Sequence, residues 1–186
     1  MPDRLMRHPN FRLGFTFGKI RTKNLSAHRD DKGACLTPER FHTHSMGPDE
    51  AALRAAFLHC SALMQQRNSA NMGLAVHNKS NLDGVVRTVF GDSVVKVLDR
   101  DNKLDLKGIT IHLLTEKIQL RKLEGPVVAA FVDPHKLDKI VSSAGVTDIV
   151  FVPWAAEELP IYLAEHPLSQ EIFRTPPLDE PVPTMV

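Results

Sequence analysis

A chain of 186 residues, 42% of them apolar, supports one well-filled hydrophobic core and excludes global disorder, a collagen-like fibre and a membrane-spanning class. Lys plus Arg is 23 and Asp plus Glu is 22, so no overall field holds the chain on nucleic acid or anionic lipid. The charge is nevertheless unevenly spread: residues 1–40 carry nine basic and four acidic groups, residues 148–186 one and seven. That polarity points to end-specific contacts with protein partners, head-to-tail self-association among them, and to no membrane partner.

The first periodic segment is Phe11, Leu13, Phe15 and Phe17, apolar at every second position, which predicts a half-buried strand closed by Gly18. Arg12, Lys19 and Arg21 beside those aromatics are the candidate nucleic-acid contacts, a reading that the neutral overall charge does not favour. Residues 24–47 hold turn-formers and little periodicity and read as a long loop. Within it, His42 and His44 stand two apart, the spacing at which imidazoles on an extended chain share a metal, yet a zinc site needs three or four rigid ligands. No metal is therefore expected. Cys35 and Cys60 form no CxxC pair, which fits a reducing, cytoplasmic setting, and the first ten residues lack the apolar run of a signal peptide.

From Pro48 the period becomes helical. Leu53, Ala56, Phe57, Cys60, Leu63 and Met64 share one stripe, which predicts a helix to about Arg67 with Cys60 as a core thiol. Met72 to Val76 reads as a buried strand. Ser80 followed by Asp83 has the form of a capping box ahead of a helix carrying Leu82, Val85, Val86 and Val89 and stopped by Gly91. Ser93–Leu98 and Leu104–Leu114 are rich in β-branched residues and predict a hairpin across the polar turn 99–103. Pro126 to Val132 is continuously apolar, the mark of a strand covered on both faces. Asp133 then caps a helix with Pro134 at its first position, followed by a strand over Ile149–Val152 and a last helix over about 156–165.

The fold class that follows is α/β: a mixed, largely parallel, Rossmann-like sheet with flanking helices, an irregular N-terminal region and an extended Pro-rich C-terminal tail. Residues 48–168 form the α/β domain, 1–47 an N-terminal strand and long loop, and 169–186 the tail.

In such sheets ligands bind outside the carboxyl ends of the strands. The residues just past three of the strands are His77, Asn78 and Lys79, then Asp133 and His135, then Trp154. If those strands are parallel neighbours, an imidazole, an ammonium, a carboxylate and an indole meet at one edge, with Asn78 and Trp154 as ligand-binding groups. His77-x-Lys79 followed by Asp83 is similar to the HxKxxxxD signature of phospholipase D-type phosphodiesterases, but one residue is missing and no second copy exists. Neither GxGxxG, a Walker lysine, HExxH nor GxSxG occurs, so no cofactor is called for. The expected function is a binding or accessory protein that contacts macromolecular partners and holds a small polar or anionic ligand at its strand ends. The alternative is a hydrolase or phosphoryl-processing enzyme with His77 or His135 as acid/base, Asp133 orienting and Lys79 holding an anion.

Overall fold

The computed structural model of the protein describes residues 37–45, 47–106 and 108–175. The Phe11–Phe17 strand with Arg12, Lys19 and Arg21, and the Pro-rich end from Pro176, lie outside the described residues.

Among the described residues, seven strands form one sheet: β1 (Glu39–His44), β2 (Asn71–Ala75), β3 (Lys103–Leu106), β4 (Ile109–Leu114), β5 (Lys122–Ala130), β6 (Ala144–Val152) and β7 (Gln170–Arg174). Their order is β3-β4-β2-β5-β6-β1-β7, with β3 antiparallel to β4 and every other pairing parallel. This is the expected α/β class. Five helices cover it: α1 (Glu50–Arg67), α2 (Val85–Phe90), α3 (Asp92–Asp101), α4 (Pro134–Ile140) and α5 (Glu158–Glu165).

The pleat sorts the strand side chains between two cores. Leu74, Val128, Ala130, Val150 and Val152 face α1, α2 and α3, while Ala75, Val127, Ala129, Ile149 and Phe151 face α4 and α5. Both sides of β5 and β6 are thus dry, which is why VVAAFV carries no polar alternation. Each Leu, Ile, Val or Phe placed there contributes about 1.5–3 kcal/mol of transfer free energy.

Four expectations need correction. Residues 24–47 are not wholly loop: Glu39–His44 is a strand in the interior of the sheet, between β6 and β7, with Phe41, His42 and Thr43 buried. Its polar sequence hides a burial imposed by neighbours on both sides. Ser93–Leu98 is helical, not β: Asp92 opens α3 with a favourable charge in its first turn, and Val94, Val95 and Leu98 form its buried stripe. Gly91 makes the sharp turn between α2 and α3 at φ +86°, a conformation open to glycine. The hairpin is therefore β3–β4 alone. Finally, Ser80 and Asp83 form no capping box. Asn78 does that work on a 3-10 turn at Lys79–Leu82, accepting from the Ser80 amide at 3.0 Å while Asn81 accepts from the Asn78 amide at 3.1 Å. Asp83 instead accepts from Arg87 at 3.1 Å.

Several readings hold. The α1 helix ends at Arg67, and Cys60 is fully buried with its thiol pushed up by burial; the α1 cap is Asp49, whose carboxylate accepts from the Ala51 and Ala52 amides at 2.7 and 3.0 Å. Asp133 caps α4. Two bounds are corrected: β6 begins at Ala144 and not at Ile149, and residues 170–174, read as part of the tail, are instead strand β7, drawn into the sheet by parallel pairing with β1.

One charge sits in the core. Asp148 of β6 is fully buried, and its Oδ1 accepts from Arg67 at 2.9 Å, while Arg67 also lies 3.2 Å from Glu39. A buried carboxylate stripped of its counter-charge is costly. Arg67→Ala is expected to lower unfolding free energy by about 3 kcal/mol or more. Urea denaturation checks this; a loss below about 1 kcal/mol, the worth of a surface ion pair, would count against the pairing.

Candidate functional site

The strands that carry the candidate residues are parallel neighbours in the order β2-β5-β6. Ala75 pairs with Ala129 and Ala130 with Val152, so the three strands end at a common rim. The Phe131 amide donates to the Val152 carbonyl at 2.9 Å, which extends the ladder to that rim. Beyond the rim the chain parts company. From β2 it turns toward α2, whose Val86 and Val89 belong to the α1 side, and from β5 it enters α4 on the opposite side. Adjacent strands with opposite exits mark the place where open α/β sheets hold ligands.

The individual groups divide sharply. Asn78 is taken up by capping. The Lys79 ammonium donates to the Asp99 carbonyl and stands 3.6 Å from that residue's carboxylate. Asp133 accepts from the His135 amide at 3.0 Å as the α4 cap, and the exposed His135 imidazole lies 3.7 Å from Glu165. These groups have structural occupations that account for their chemistry. What remains at the rim is the half-buried His77 and the indole of Trp154, 48% exposed.

Trp154 is held from two sides. Its ring meets Phe131 edge-on, centroids 5.2 Å apart at 85°, and its backbone amide donates to Glu158 Oε2 at 2.6 Å. Phe131 itself has φ +59° and is 6% exposed. A bulky aromatic in the left-handed region is an outlier that costs about 1–3 kcal/mol and persists only where the surroundings over-determine it. Sequence reasoning passed over Phe131, because VVAAFV reads as uniform strand and nothing in residue type marks a positive φ at a phenylalanine.

Beside the rim, between the 3-10 turn, α2 and α3, runs a cleft of about 210 Å³ lined by Lys79, Asp83, Arg87, Lys96 and Asp99 with Ser80, Leu82 and Val95. Arg87 is paired with Asp83 and Asp92, whereas Lys96 forms no ion pair among the described residues. The cleft is polar and carries one more basic than acidic group.

His42 and His44 lie on β1, the parallel strand next to β6, with His42 in register with Phe151. His42 Nδ1 is 3.0 Å from Ser169 Oγ, which in turn lies 3.5 Å from the buried Tyr162 hydroxyl, and burial lowers the His42 pKa so that the ring is neutral near pH 7. His44 Nδ1 stands 3.7 Å from Glu171. These contacts tie β1 to α5 and β7. Among the described residues no group of three or more His, Cys, Asp or Glu side chains is placed to hold a metal ion, and no helix is long and apolar enough to cross a membrane.

The capping role of Asp133 makes a separable prediction. Asp133→Ala should destabilise the protein by about 0.5–2 kcal/mol and Asp133→Asn by much less, since asparagine also caps. Thermal denaturation of the two variants checks it, and equal losses would contradict the cap. Comparison with protein-family models, with curated proteins and with solved structures finds nothing that matches this chain.

Proposed function

We propose that the protein is a binding or accessory component of the cytoplasm that holds a small polar or anionic ligand at the C-terminal rim of β2, β5 and β6. The observation that carries this reading is the division of labour at the rim. Of the groups an acid/base mechanism would need, Asp133 is engaged as a helix cap, Lys79 is paired with Asp99 and His135 lies 3.7 Å from Glu165, while His77 is half-buried and Trp154 half-exposed past the strand ends. Binding needs only shape, ring surface and a few polar groups, and these are what remain. The basic excess at Lys79, Arg87 and Lys96 in the neighbouring cleft favours a ligand with negative charge.

The contrast between the basic residues 1–40 and the acidic residues 148–186 supports contacts with protein partners through the two ends, self-association included. Nucleic-acid contact through Arg12, Lys19 and Arg21 is the weaker proposal, because the chain as a whole is neutral.

Native mass spectrometry of the purified protein, set beside its denatured mass, tests the ligand. The expected result is a small-molecule adduct that is lost on denaturation and reduced in His77→Ala. An adduct retained equally by His77→Ala would move the site elsewhere, and a bare mass in freshly purified protein would count against a resident ligand.

A further inference from the structure

We propose that Trp154 and Phe131 form a prebuilt stacking platform that receives the planar aromatic ring of a small ligand. This rests on the rim being the binding site and adds the chemical class of what binds there. Trp154 is 48% exposed, its ring packed edge-on against Phe131 and its main chain anchored to Glu158, so it can stack a ring with little freedom lost on binding. Its contact with Phe131 uses an edge-to-face geometry, in which one ring meets the other at its rim.

The second observation is independent of exposure. Phe131 is a buried phenylalanine at φ +59°, a position that glycine would occupy without strain. A glycine there would relieve the backbone and remove the ring from beneath Trp154. The strain thus accompanies the aromatic support at the strand end, the kind of place where strained residues gather. On the adjoining strand end, His77 follows β2, one strand over from Phe131, and offers a polar group at the same edge of the sheet.

The occupant is a small molecule rather than a protein surface. The other large exposed apolar side chains among the described residues, Leu58, Ile161 and Leu168, lie on α1, on α5 and ahead of β7, so none shares the strand-end turn with Trp154, and one exposed indole suits a single small ring better than an extended apolar protein surface.

The test uses the full chain and millimolar adenine, uracil, indole, nicotinamide, AMP and riboflavin, followed by saturation-transfer NMR. Trp154 is the one tryptophan of the chain, so its emission reports the same event separately. The expected result is that ring compounds bind and quench Trp154, that Trp154→Ala weakens binding at least tenfold with an unchanged melting temperature, and that Trp154→Phe retains part of it. Failure of every ring compound to bind, or undiminished binding to Trp154→Ala, would overturn the platform. Binding of ribose 5-phosphate and inorganic phosphate with no gain from a ring would also overturn it, while leaving the anion-holding rim in place.

Discussion

Strand β5 is the constraint on which the rest of the structure depends. It pairs with β2 on one side and β6 on the other, and from Pro126 to Val132 every residue is buried. Nothing in that stretch can turn toward water, so the reversal into α4 is compressed into Phe131, Val132 and Asp133. Phe131 takes up the left-handed conformation, and Asp133 closes the α4 N-terminus. At the other end Gly125 allows the strand to pass Asn71, whose carbonyl oxygen occupies the space a Cβ would need.

From that strand the functional geometry follows. Because β2 and β5 send the chain to opposite faces, their ends separate, and because β6 lies beside β5, Trp154 lands on Phe131. The same local forces that build the helices consume the obvious chemistry. A carboxylate at a helix N-terminus is worth more as a cap than as a free base when no other acceptor serves the first amides. The residues that look most catalytic by type are therefore the ones with the most complete structural explanation. The indole has no such explanation for its exposed half.

Much of this was legible in the sequence wherever burial was uniform or periodic. The α1 stripe, the dry VVAAFV strand and the Asp133–Pro134 helix start each follow from one local rule, and the structure places them as those rules require. Strands β1 and β7 were not legible as sheet members, because ERFHTH and QEIFR are polar and owe their pairing to distant partners. The valines of α3 favoured strand locally and lost to their helical stripe. Asn78 displaced Ser80 as a cap although both have suitable side chains. For the site, the residues past each strand were named from sequence, but their adjacency depended on strand order, which periodicity does not encode, and Phe131 carried no signal at all.

A strained backbone at Phe131 holds a half-exposed indole rigid at the strand-end rim. Time-resolved fluorescence anisotropy of Trp154, the chain's one tryptophan, measures that directly. The account predicts an indole open to acrylamide quenching whose anisotropy decays with the tumbling of the whole molecule. A dominant component much faster than that tumbling, from local ring rotation, would contradict it.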